Sequence, residues 1–169
     1  MEAIMKEINI RDIKISAPEL ISDGWGLVTA GTSEKFNTMT VSWGALGEIW
    51  GKDAAFVFIR PQRYTYEFIE KEDVFTISFF APEYKDKLRI CGSKSGRDID
   101  KAKECGFTPA FIDGTVTFEE AEYTLVCRKM ASQFLDPAGF IEKGLDAANY
   151  PQKDYHRMYV GEVVACYKK

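Results

Sequence analysis

Short runs of β-branched and aromatic residues alternate along the chain with turn-forming and charged ones, the pattern of half-buried strands. Leu27–Ala30, Met39–Trp43, Ala55–Arg60 and Val74–Phe80 are such runs, each bounded by Gly, Pro or charged residues. Phe111–Phe118 holds Asp113-Gly114 between apolar flanks, a hairpin signal. Tyr123–Arg128 and Met158–Tyr167 complete a set of about seven strands. Helical segments are fewer. Pro61 suits the first position of a helix running to about Lys71, and Pro82 opens a second over Glu83–Ile90 that stops near Gly92. A third over Asp98–Cys105 ends at Gly106, with Asp98 as its cap. The stretch Gln133–Lys153 carries two Pro, two Gly and little periodicity, and reads as irregular. This pattern predicts a mainly β protein, a barrel or strongly curved sheet with a few short helices, rather than a βαβ fold.

A length of 169 residues fits one domain over 1–169. A domain of that size buries roughly 70% of the surface its unfolded chain exposes. Twelve Phe, eight Tyr and three Trp suit a packed β core or the stacking of a flat ligand. The net charge of −4 gives no electrostatic basis for a nucleic-acid partner. No apolar run reaches the length of a membrane span, and the N-terminal MEAIMKEINI lacks the apolar core of a signal peptide. The expectation is a cytoplasmic protein without a membrane partner. Cys91, Cys105, Cys127 and Cys166 form no CxxC, and one histidine is present, so no metal site is expected and the cysteines read as buried free thiols.

Thr38, Thr40 and Ser42 alternate along a predicted strand, which projects three hydroxyls from one face. Spacing alone assigns that face to solvent, because a buried hydroxyl needs a partner. The following segment changes the balance. A buried strand ends at Arg60, and the helix opened by Pro61 carries Arg63 and Thr65 in its first turn. A helix N-terminus offers unpaired N–H groups and a positive dipole end, and arginine suits bidentate phosphate contact. A phosphate site and a pair of solvated arginines are the two readings of that segment, with the first ahead. Gly92–Asp98 is a polar, glycine-rich loop without the GxxxxGK[ST] spacing of a nucleoside triphosphate site, able to wrap an anion or to remain a surface loop. His156, the single histidine, stands at the mouth of the last strand, a natural contact for an anionic second substrate or a structural residue.

At these residues the sequence resembles the flavin reductase-like family, the FMN-binding split-barrel group that includes the flavoredoxins. The resemblance runs along most of the chain. Its blocks are Asn37–Gly44, Trp50–Lys52, Val57–Tyr66, Phe75–Phe80, Cys91–Lys101 and Tyr155–Glu162, and their order makes it specific. It implies a split β-barrel of six strands in Greek-key order, a homodimer, and non-covalent FMN near the subunit interface. Carried over by position, Asn37, Thr38, Met39, Thr40, Ser42 and Trp43 would line the flavin ring and ribityl chain. Arg60, Arg63, Tyr64 and Thr65 would take the phosphate end, and Lys94 and Ser95 would approach the ring's polar edge. His156 would be the catalytic residue, meeting NAD(P)H. Many NADH-dependent members carry Gly-Asp-His, where this chain has Asp154-Tyr155-His156.

The resemblance implies an NAD(P)H:flavin oxidoreductase that passes hydride from nicotinamide to flavin N5 and then reduces a free flavin or a protein acceptor. The alternatives are a flavoredoxin-like electron carrier without a nicotinamide substrate, and a non-enzymatic barrel that binds another flat ligand or a partner.

Overall fold

The computed structural model describes residues 5–169, so the first four residues of the N-terminal stretch read above lie outside it. Ten strands are present among the described residues: β1 (Lys6–Ile8), β2 (Gly26–Gly31), β3 (Phe36–Val41), β4 (Gly44–Ile49), β5 (Lys52–Ile59), β6 (Val74–Phe79), β7 (Pro109–Ile112), β8 (Thr115–Phe118), β9 (Tyr123–Phe134) and β10 (Arg157–Lys168). Four short α-helices accompany them: α1 (Tyr64–Lys71), α2 (Lys85–Ser93), α3 (Lys101–Cys105) and α4 (Leu145–Asn149). No helix among the described residues is long and apolar enough to cross a membrane.

The main sheet is antiparallel in the order β3-β2-β6-β9-β10-β5-β4. Strand β10 links the two halves of the sheet: it pairs with β9 along one edge, and along the other with β5 through Arg157–Glu162 and with β1 through Cys166–Lys168. Register breaks against β9 at Val160/Gly161 and Val163/Ala165 bend it. Val28, Ala30, Met39 and Val41 from one end of the sheet share a core with Ala55, Val57 and Ile59 from the other. The sheet therefore curls on itself, in agreement with the split barrel expected from the sequence. Helix α1 joins that core through Ile69. A second core holds Leu27, Leu88, Cys91, Ala102, Cys105, Phe107 and Phe118, where α2, α3 and the β7–β8 hairpin cover the other side of β2. Full burial of each large side chain contributes about 1.5–3 kcal/mol.

The strand runs read from the pattern all appear, with ends shifted by a few residues, and Asp113-Gly114 turns the β7–β8 hairpin. Strands β1 and β4 were not expected. Gly-Ala-Leu-Gly-Glu-Ile in β4 holds weak strand formers, yet Trp50 and Gly51 both take positive φ (55° and 69°) and fold it back onto β5. The helix starts also need correction. Arg63 is extended (φ −70°, ψ 135°), so α1 begins at Tyr64, after a turn closed by Arg63 N–H to the Arg60 carbonyl at 3.1 Å. A 3₁₀ turn at Pro82–Tyr84 precedes α2, which continues through Gly92 to Ser93. The cap of α3 is Asp100, not Asp98, and Gly106 ends that helix in the left-handed region as expected. Gln133–Lys153 is not wholly irregular: it contains the end of β9, a 3₁₀ turn at Pro137–Gly139 and α4.

Candidate functional site

Strand β3 divides its side chains between two faces, as the period of two requires. Met39 and Val41 enter the barrel core. The hydroxyl row lies on the other face but does not meet water throughout. Thr38 is buried and its hydroxyl bonds Thr29 Oγ1 at 2.8 Å and the Val28 carbonyl at 3.2 Å. Thr40 is half-buried and donates to the Leu88 carbonyl of α2. Ser42, beyond the strand end, is exposed. A solvent face fails because α2 covers it, and each covered hydroxyl has found a protein acceptor.

The Arg60–Thr65 segment also differs from the sequence reading. Arg60 was expected at the phosphate; its guanidinium is paired with the Asp154 carboxylate, donates to the Asn149 carbonyl at 2.9 Å and lies 5.1 Å from the Tyr150 ring. Arg60 and Gln62 together hold the Asp154 carboxyl below its ordinary pKa. Thr65 is completely buried and accepts a 2.7 Å bond from Asn37 Nδ2, so its hydroxyl does not face a cavity. Arg63 stands apart. It donates to the Gly92 carbonyl at 2.8 Å, has no carboxylate partner among the described residues, and burial lowers its pKa.

Two cavities flank β3. One, of about 240 Å³, is lined by Met39, Thr40, Ser42 and Trp43 together with Arg63 and His156, and Arg60 also reaches it. The other, of about 460 Å³, is lined by Asn37, Thr38, Tyr64, Gly96, Arg97 and Lys101. Tyr64 sits edge-on to Phe68 with the Arg97 guanidinium 4.6 Å from its ring. Lys94 and Ser95, expected at the ring edge, line neither cavity. Lys94 is exposed beyond α2, and Ser95 Oγ accepts the Arg97 N–H at 3.2 Å within its own loop.

One cation escaped the sequence reading. Lys101, only 5% exposed, donates from Nζ to the Thr38 carbonyl at 2.8 Å and to the Cys91 carbonyl at 2.7 Å. Burial, and then the nearby Arg63 charge, push its pKa down to about 8. The signal was present: Lys101 lies four residues before Cys105, on the apolar side of its helix, where a solvated lysine has no place. Half-buried Arg63 and buried Lys101 thus adjoin β3 without an acidic partner among the described residues.

His156 contacts the Trp43 ring at 5.1 Å between centroids, and its Nδ1 is 2.8 Å from the Tyr150 hydroxyl. Burial, and then the Arg60 charge, push its pKa down to about 4 against a smaller opposing effect of Asp154. The imidazole is therefore neutral at pH 7. It offers a hydrogen bond rather than a positive charge. The four cysteines are free and buried, as expected, although the fold brings Cys91 and Cys105 to 3.7 Å between sulfurs.

Several solved structures share this fold. An FMN-binding protein from Thermus thermophilus, solved with bound 1-cyclohex-2-enone, is 23% identical over 85% of this chain and 69% of its own, with a TM-score of 0.66. Flavoredoxin from Methanosarcina acetivorans is 22% identical over 86% of this chain and 68% of its own, with a TM-score of 0.67. An NADH:FAD oxidoreductase from Streptomyces globisporus is 15% identical over 86% of this chain and 75% of its own, with a TM-score of 0.64. At these identities the likeness is one of fold. No curated protein sequence matches the chain. The sequence model of the flavin reductase like domain, however, matches residues 19–169, a span that holds both cavities, Arg63, Lys101 and His156. The chain belongs to the flavin reductase like domain family.

Proposed function

We propose that the protein binds FMN non-covalently along β3 and acts as an NAD(P)H:flavin oxidoreductase. The observation that carries this reading is Arg63, a half-buried guanidinium beside a cavity with no carboxylate among the described residues to neutralise it. Of its five N–H donors, one bonds Gly92 and the rest are available to an anion. Lys101, which lines the neighbouring cavity, adds a buried cation with one donor beyond its two carbonyl bonds. These residues fit a phosphomonoester, which accepts several charge-assisted bonds of about 1.5–3 kcal/mol each. Ser42, with its hydroxyl free at the cavity wall, and the half-exposed ring of Trp43 suit the polar chain and flat ring of the same ligand.

When bound, FMN supplies the redox chemistry, accepting hydride from the nicotinamide and passing electrons to a flavin or protein acceptor. The chain's own part is binding and alignment. Arg63 and Lys101 hold the anionic end, Trp43 and Met39 wall the ring, and His156 presents an uncharged donor to the second substrate. No side chain has to exchange a proton for this transfer. We take the protein as a homodimer in the same reading: β4 is largely open to solvent, and the exposed Trp43 and Trp50 stand beside it.

The test is the absorbance of purified protein mixed without oxygen with NADH or NADPH. The expected result is a yellow protein whose flavin band bleaches with at least one donor. A colourless protein that gains no flavin on incubation defeats FMN binding and leaves the non-enzymatic barrel. A yellow protein that keeps its colour with both donors but bleaches with dithionite is the flavoredoxin-like carrier. That second reading is favoured by Asp154-Tyr155-His156, which stands where many NADH-dependent members carry Gly-Asp-His.

A further inference from the structure

Tyr150 is 3% exposed, and the one side-chain hydrogen-bond partner of its hydroxyl among the described residues is His156 Nδ1 at 2.8 Å. A tyrosine hydroxyl carries one proton, and leaving it without an acceptor in the interior costs about 1–3 kcal/mol. If Nδ1 carried the imidazole proton, the tyrosine proton would have nowhere to go. The satisfied arrangement has Tyr150 O–H donating to an unprotonated Nδ1, which leaves the histidine proton on Nε2, at the edge turned from Tyr150. His156 itself lines the cavity beside Trp43 and Arg63.

We propose that Tyr150 is a positioning residue that locks neutral His156 in the Nε2–H form and aims that N–H at an uncharged carbonyl oxygen of the ligand in the β3 cavity. The tyrosine is itself held firmly. Its ring packs against Tyr155 at 4.9 Å and Phe140 at 6.0 Å, with the Arg60 guanidinium at 5.1 Å. The histidine backbone is anchored as well, its carbonyl accepting Leu135 N–H at 2.9 Å. Nearby charges agree with a neutral ring, since Arg60 opposes a second positive charge and its partner Asp154 is already neutralised by it. A neutral N–H donor recognises a carbonyl or carboxamide and rejects a cation, so the matching chemistry is the nicotinamide carboxamide or a carbonyl of the flavin ring. The choice between them rests on the FMN reading above; the tautomer does not.

Because His156 is the single histidine, long-range ¹H–¹⁵N spectra of the FMN-loaded protein report one imidazole without assignment. The expected wild-type pattern at pH 7 is a pyrrole-type Nε2 and a pyridine-type Nδ1, giving way to exchange between tautomers in Tyr150→Phe, which keeps the ring. An Nδ1–H pattern in the wild type, or the same Nε2–H pattern in Tyr150→Phe, overturns the proposal. Kinetics of the same variant identify the ligand. A KM for NAD(P)H raised about three- to tenfold with kcat and FMN affinity nearly unchanged assigns the N–H to the carboxamide. A similar loss of FMN affinity with KM unchanged assigns it to the flavin carbonyl. Loss of the tautomer with neither effect refutes the positioning role. Should neither nucleotide bleach the wild type, the oxidoreductase reading fails, and the spectra with the FMN titration still decide this one.

Discussion

The guanidinium of Arg63 and the carbonyl of Gly92 meet at 2.8 Å, tying the residue before α1 to the end of α2. This bond leaves a positive charge at the cavity wall without an acid to balance it, whereas Arg60, three residues earlier, is neutralised by Asp154.

The two arginines should therefore behave differently. Arg63→Ala is expected to weaken FMN binding by about ten- to a hundredfold, the loss of one charge-assisted contact. Arg60→Ala should instead lower stability, because it strands the Asp154 carboxylate, with a much smaller effect on FMN. Flavin-fluorescence titrations and urea unfolding of both variants separate the roles. Equal FMN affinity in Arg63→Ala and wild type refutes the phosphate assignment.

Gly96 lies directly against the Asn37 amide. A methyl group there would overlap Asn37 Oδ1 and approach Tyr64 Cδ1 to 3.1 Å. Asn37 cannot swing aside freely, since its Nδ2 is held by Thr65 at 2.7 Å. Gly96→Ala is expected to cost about 1–3 kcal/mol through overpacking and loss of that bond. Thr65→Val should cost a similar amount without adding bulk at the cavity. Chemical denaturation measures both, and a Gly96→Ala protein as stable as wild type shows that the loop can move away.

Lys101 should make FMN affinity depend on pH. Its pKa of about 8 lies below the ordinary 10.5, so above pH 8 the unliganded protein loses this charge. A bound phosphate favours the charged form, and binding then takes up a proton. Affinity is expected to fall as pH rises from about 8 toward 10.5 and to flatten in Lys101→Met, which also loses both carbonyl contacts. Titrations at pH 7 and pH 9 in the two proteins check this; parallel slopes would exclude Lys101 as the titrating group.

His156 couples folding to acid in a definite direction. Its pKa is about 4 in the folded chain against 6.5 ordinarily, so between those values the unfolded chain binds the proton and the folded one does not. The stability associated with the neutral ring is complete above pH 6.5 and is lost as pH falls through this window to about 4. The loss amounts to a few kcal/mol at most, on the order of 1.4 kcal/mol per pKa unit. Urea midpoints from pH 7 to pH 4 should drop less steeply in His156→Gln than in wild type.

Local pattern was enough to read most strands, the β7–β8 turn and the concentration of candidate chemistry in Asn37–Thr65. Alternation records which residues of a strand share a face, and glycine, proline and charged residues mark where strands stop. Strand β4 escaped because its composition is weak and its pairing depends on the Trp50-Gly51 turn and on β5. The sequence by itself also determined family membership, since a match over residues 19–169 follows from residue order alone. Tertiary structure decided which of the polar groups remain free. Thr38, Thr65 and Arg60 read as ligand contacts until β2, β3 and the Asp154 region supply them with internal partners. The same folding leaves Arg63 without an acid and buries Lys101 beside it. Hydrogen-bond and charge partners lie tens of residues apart in the chain, so periodicity can place a polar side chain on a face but not say whether another part of the protein already satisfies it.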